Sequence, residues 1–170
     1  MRSAGALGSI VTPVSAADIV IRWANSAEEV RDALALRELV FCGEQGVPLS
    51  EERDRLDEEA SHLVALSPES QRVIGTLRLL VSGEAAKVGR VAVDRAWRRR
   101  GVALRMLELA LERAREQGCV RARLAAQLEA IELYRQAGFA VESEPFEEAG
   151  IMHVWMGRTL GAEAATLAGD

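Results

Sequence analysis

Cysteine is scarce in this chain of 170 residues: Cys42 and Cys119 are the only two, and they lie far apart. Two such thiols build neither a disulfide framework nor a zinc site. They read as small packing residues of a reduced, cytoplasmic protein, with no metal and no covalent acyl-cysteine step. Long apolar runs are missing too. None approaches the roughly 18 residues that a membrane-spanning helix needs, so no membrane partner is expected. A basic excess is also absent. The net charge of −5 and pI near 5.2 argue against a general nucleic-acid binder, whose basic stripe would dominate its surface. Neither G-x-x-x-x-G-K-[ST] nor G-x-G-x-x-G occurs, which sets aside phosphate-loop nucleotidases and dinucleotide folds. There is no internal repeat and no low-complexity linker.

What is present has the balance of one globular domain with a full core, 49% hydrophobic and 28% charged. The opening MRSAGALGSIVTPVSAAD imitates a secretory signal weakly, because Gly, Ser and Pro interrupt its apolar stretch. Residues 1–18 are therefore expected as a flexible extension, 19–160 as a single domain, and the small, polar 161–170 as a flexible tail. Ile19–Trp23 alternates as a first strand. Ser26 and Glu29 form a capping box for a helix running to about Phe41, stopped by Gly43, Gly46 and Pro48. The acidic stretch Leu49–Ala60 predicts a loop with a short second helix. His62–Leu66, Val73–Val81 with a bulge at Gly75, and Val88–Val93 read as a meander of antiparallel strands. A long amphipathic helix follows Gly101 and ends at Gly118. Val120–Ala126 is a strand expected parallel to Val88–Val93 through a crossover. Gln127–Ala137 is a further helix, and Phe139–Glu144 and Ile151–Arg158 are closing strands joined by a turn around Pro145–Gly150. The result is an α/β (α+β) domain with a mixed, mainly antiparallel sheet of about six to seven strands and about four helices.

Val88–Gln117, VGRVAVDRAWRRRGVALRMLELALERAREQ, organises the rest. A strand feeding a glycine-containing turn into a helix leaves the first N–H groups of that helix unpaired, which is an anion site. Arg95, Arg98, Arg99 and Arg100 crowd the same turn, so a phosphate-bearing ligand is expected there. The acidic Glu44–Glu59 segment suits a cationic ligand elsewhere, or a solvated face.

Arg98-Arg99-Arg100-Gly101-Val102-Ala103 has the form [QR]-x-x-G-x-[GA] and resembles the acetyl-CoA pyrophosphate loop of the GNAT N-acetyltransferase superfamily. Gln127–Phe139, with Tyr134-x-x-x-Gly138-Phe139, resembles that family's later helix. VFCGEQGVP at 40–48, HLVA at 62–65, GRVAV at 89–93 and EAGIMHV at 148–154 are similar to its ElaA-type branch. The resemblance spans about 19–160. It implies a V-shaped splay between 88–93 and 120–126 that admits acetyl-CoA, with Val91, Ala92 and Val93 on the pantetheine and thioester. Arg98 begins the loop, and the N–H groups of Arg99, Arg100, Gly101, Val102, Ala103 and Leu104 hold the pyrophosphate. The side chains of Arg99 and Arg100 are left for the outer phosphates. Gln127 stands near the asparagine that often opens the family's later helix, beside the cofactor.

The implied reaction is direct attack of an amine on the thioester, with Tyr134 as general acid for the leaving thiolate. Packing of Tyr134 on the sheet is its structural alternative. Glu44 and His153 are candidate bases, histidine being suited to proton transfer near neutrality, and a water chain is equally compatible. Arg78 and Arg90, on neighbouring strands, are candidates to clamp an acceptor carboxylate, with plain ion pairing as the alternative. His62 receives no role. The expected partners are acetyl-CoA and an unidentified amine acceptor. Edge strands near the C-terminus leave room for a homodimer. A non-catalytic acyl-CoA-binding module and, less well matched, a nucleotide-binding regulator stay open beside the enzyme.

Overall fold

The computed structural model describes residues 18–161, so the expected extension and tail lie outside the described residues but for Asp18 and Gly161. Strand β1 (Val20–Trp23) leads into α1 (Ala27–Arg37). Ser26 caps this helix, its Oγ accepting from the Glu29 N–H at 3.2 Å. The Glu29 carboxylate reaches one residue further back than a capping box requires, accepting from the Asn25 N–H at 3.0 Å and from Arg22 at 2.9 Å. The helix does not end near Phe41. It widens into a π-helical segment, Glu38–Glu44, and the Gln45 N–H reaches the Val40 carbonyl at 3.2 Å. A glycine at position 43 weakens a helix without ending it, and the wider turn carries the chain to Gly46.

Pro48 opens the short α2 (Leu49–Glu52). Strands β2 (Ser61–Leu66), β3 (Val73–Ser82) and β4 (Ala85–Val93) then form the expected meander, and a 3-10 turn at Arg95–Trp97 precedes α3 (Val102–Glu116). After β5 (Arg121–Gln127) come a 3-10 turn at Leu128–Ala130 and α4 (Ile131–Gln136). The chain closes with β6 (Ala140–Val141), β7 (Phe146–Glu148) and β8 (Ile151–Thr159). The eighth strand, β7, replaces an expected turn. Ala149 and Gly150, with φ of 52° and 77°, fold it back onto β8 as a tight hairpin. The strand expected over Phe139–Glu144 contracts to two residues.

The sheet order is β1-β2-β3-β4-β5-β8-β6, with β7 also on β8. All pairs are antiparallel except β4–β5, which is parallel as expected and pairs only Ala85–Lys87 with Arg121–Arg123. Between Thr76↔Ala92 and Arg78↔Gly89, two residues of β4 stand opposite one of β3. This bulge holds Arg90 at φ 53° and turns the strand over. Val88 packs in the core beneath α3, with Met106, Leu107 and Leu111, whereas Ala92 joins the smaller core of Ala33, Leu36 and Val40 on the other face.

A second irregularity lies between Ala65 and Leu66, opposite Gly75, where a bulge was expected. Gly75 also lets α3 approach the sheet: a Cβ there would lie 3.1 Å from Ala65 Cβ and 3.2 Å from both Met106 Cε and Val102 Cγ1. Gly75→Val is expected to lower stability by about 1–3 kcal/mol through overpacking, read as a lower urea midpoint at unchanged m-value.

Candidate functional site

Once β4 and β5 part beyond Lys87 and Arg123, a cavity of about 1260 Å³ opens between them. Val91, Ala92 and Val93 line one side of it and Ala125 and Gln127 the other. The basic turn closes one end. Asp94 accepts from the Ala96 N–H at 2.9 Å and starts the turn, and Arg99 and Gly101 then take positive φ, 60° and 77°. Among the described residues no side chain caps α3, and its first internal bond runs from the Arg105 N–H to the Gly101 carbonyl at 3.1 Å. The N–H groups of Val102, Ala103 and Leu104 precede that bond and belong to the donors a helix cannot satisfy itself.

The arginines of the turn have divided environments. Arg98 donates from Nε to the Val93 carbonyl at 2.9 Å and forks onto Glu44 at 2.9 and 2.7 Å. Arg99 lines the cavity. Arg100 does not keep its side chain clear for a phosphate, because its guanidinium lies 4.9 Å from the centre of the Trp97 ring. The fork on Glu44 also removes that residue as a free base. Hydrogen bonding to Arg98 holds its carboxyl below the usual carboxylate range, and both oxygens are engaged.

Tyr134 belongs to both the core and the cavity lining. It packs edge-on against Phe139, with ring centres 6.4 Å apart, and it lines the cavity. Burial pushes its phenol up to about 12, which keeps it protonated at neutral pH. His153 lines the same cavity, its ring stacked on Phe146 at 5.9 Å. Its Nδ1 lies 2.7 Å from the Ile151 carbonyl, an arrangement that places the proton on Nδ1 and leaves the Nε2 lone pair for another donor. Gln127 faces Gln45, and the two amides hydrogen-bond at 2.8 Å across the cavity.

Arg78 and Arg90 lie on paired strands as expected, yet they do not form an open clamp. Arg78 donates to Asp54 at 2.7 Å and to Asp57 at 3.2 Å, and Arg90 donates to the Glu52 carbonyl at 2.9 Å and to Asp54 at 3.2 Å. The acidic segment folds over the sheet and takes both forks. Behind them Arg37, fully buried, binds Glu52 and Asp57, each at 2.6 Å. The hydrogen bonds from Arg78 hold the Asp54 carboxyl well below its usual range. For Asp57, burial acts upward but Arg37 and Arg78 outweigh it, so its net shift is also downward.

Other lining residues had carried no assignment, among them Gln45, Glu51 and Glu148. The available signals were the acidic run and the Gly46–Pro48 turn, which mark a loop without saying what it covers.

Residues 29–160 match the family model described as an acetyltransferase (GNAT) domain. The uncharacterized N-acetyltransferase YjcF of Bacillus subtilis (strain 168) is 33% identical over 134 residues, 78% of this chain and 94% of the other. Among solved structures, an acyl-CoA N-acyltransferase from Pseudomonas aeruginosa superposes with a TM-score of 0.71 at 29% identity, covering 82% of this chain and 97% of that one. Escherichia coli ElaA superposes with a TM-score of 0.69 at 25% identity, covering 82% and 99%.

The acidic network makes stability depend on pH with a definite sign. Asp54 and Asp57 have folded-state values below their unfolded ones. Their contribution is therefore present above the ordinary aspartate value of about 3.9 and is lost as pH falls towards the folded values. Urea midpoints are expected to decline progressively below about pH 4. Asp54→Asn should lower the midpoint at pH 7 and flatten that decline.

Proposed function

Because the chain belongs to the GNAT acetyltransferase family, and is an acyltransferase on that ground, we propose that it transfers the acetyl group of acetyl-CoA to an amine within the cavity between β4 and β5. One observation carries the reading: the start of α3, the flank of β4 beyond its ladder with β5, and Tyr134 line a single space. The Pseudomonas relative, named as an acyl-CoA N-acyltransferase, supports the same cosubstrate.

Acetyl-CoA would supply an activated acyl carbon and a thiol leaving group. The N–H groups from Arg99 to Leu104 bind the pyrophosphate, in the field of the start of α3 and beside the Arg99 side chain. Val91, Ala92 and Val93 hold the pantetheine arm along β4, and a backbone N–H there polarises the thioester carbonyl. Gln127 borders the same arm from β5. The Nε2 of His153 takes a proton from the incoming ammonium, and the freed amine attacks the carbonyl carbon as the C–S bond breaks. Tyr134 gives its proton to the departing thiolate, and the second proton lost by the attacking nitrogen restores the phenol, leaving the amide, the free thiol and a protonated His153. Glu44 takes no proton in this scheme, and its carboxylate holds Arg98 against the end of β4.

Calorimetric titration with acetyl-CoA, followed by thiol release against an amine panel, tests the reading. Binding with turnover is expected. Binding without turnover of any amine would turn it into an acyl-CoA-binding module, and absence of binding would sink it. Tyr134→Phe is expected to lower kcat by about 10²-fold or more, the scale of general acid catalysis, at unchanged acetyl-CoA affinity. His153→Gln is expected to lower kcat/KM on a similar scale at unchanged acetyl-CoA affinity. A variant with unaltered kcat/KM removes His153 from the role.

A further inference from the structure

The charges around the acceptor half of the cavity fall into two groups. Arg37, Arg53, Arg78 and Arg90 are matched by Glu38, Glu52, Asp54 and Asp57 in one connected set of ion pairs. Whatever enters meets that set as a neutral wall, since each guanidinium already has a carboxylate. Outside it, Glu51, Glu129 and Glu148 line the cavity and form no ion pair or side-chain hydrogen bond among the described residues. Of the lining cations outside that set, Arg98 is paired with Glu44 and Lys87 is turned to the Trp155 ring, 5.4 Å from its centre. Arg99 also lines the cavity, but in the basic turn before α3, so away from that turn the uncommitted charge among the described residues is negative.

His153 locates the reacting end. It is 9% exposed, its Nδ1 is bound to Ile151, and its Nε2 has no partner among the described residues. Phe146 is the β7 residue in register with His153, and Glu148 stands two residues along the same strand. Alternation puts Glu148 on the face of Phe146 and His153, roughly 7 Å further on. Glu51 approaches from the opposite wall, where its carbonyl accepts from Arg90 at 3.2 Å.

We infer that the acceptor is a linear amine with a second positive charge, its reacting nitrogen at His153 and its distal ammonium between Glu148 and Glu51. The inference rests on the acetyl-transfer reading above and adds the substrate class. It replaces the carboxylate-bearing acceptor that free arginines at 78 and 90 would have implied. A distal carboxylate would meet Glu148 and Glu51 with no free guanidinium on the wall to answer it.

Three amines of one chain length test this: putrescine with a cationic far end, n-butylamine with an apolar one and γ-aminobutyrate with an anionic one. The kcat/KM for putrescine is expected to exceed that for n-butylamine by about tenfold, the equivalent of one charge-assisted contact, and that for γ-aminobutyrate by more. The putrescine to n-butylamine ratio should shrink with added salt, and Glu148→Gln should lower it about tenfold. Equal or better use of n-butylamine or γ-aminobutyrate overturns the inference, as does a ratio insensitive to Glu148→Gln. Calorimetry on the same samples separates the two levels. Acetyl-CoA binding without acetylation of any of the three overturns the acceptor class alone, whereas loss of acetyl-CoA binding overturns the transfer reading with it.

Discussion

Two residues of β4, Arg90 and Val91, stand opposite the single residue Leu77 of β3, and the strand cannot run straight through that mismatch. Before the bulge Ala86 and Val88 face the core under α3; after it Val91 and Val93 pack against that core while Ala92 joins the one under α1. The parallel ladder with β5 has already stopped by then. The cavity thus opens at the seam where β4 and β5 part, which sheet pairing leaves unfilled. The turn at Arg98–Gly101 and the side chain of Tyr134 then need only to border that seam to address one ligand.

The wall opposite that seam is made of charge and is nonetheless neutral. Burying Arg37 and Glu52 would be costly if either stood alone, and each is answered by a partner within 2.6 Å. The network ties a short helix and an irregular acidic loop, with little apolar surface of their own, onto the sheet. Order there bears on the cavity directly, because Glu51, Glu52 and Asp54 of this segment line it.

Features with a local cause were legible in the residues. Ser26 and the Gly101, Gly118 and Gly138 punctuation place helix ends, and the spacing of Leu104, Leu107 and Leu111 marks the buried face of α3. The parallel partnership of β4 and β5 followed from the helix between them. What escaped depends on partners remote in sequence. Arg98 and Glu44 are 54 residues apart and Gln45 and Gln127 are 82 apart. Nothing in either neighbourhood announces the other. Arg78 and Arg90 looked available because their acidic partners lie in a loop whose path no periodicity encodes. Strand β7 is three residues long, too brief for alternation to be seen, and the π-helical segment depends on how the chain must reach the cavity.

The early end of the β4–β5 ladder has a consequence for how the protein keeps to itself. Sheets ordinarily expose unpaired strand flanks at their rims, where a foreign strand can add on, and they guard those rims with charge or brevity. Here an unpaired flank lies in the middle of the sheet. A second polypeptide would need the usual strand spacing of about 4.8 Å on that side, together with removal of the Arg98–Glu44 fork and the Gln45–Gln127 amide pair. A slender, flexible small molecule needs neither. The two polar links narrow the approach to that flank, which suits a slender ligand better than an added strand.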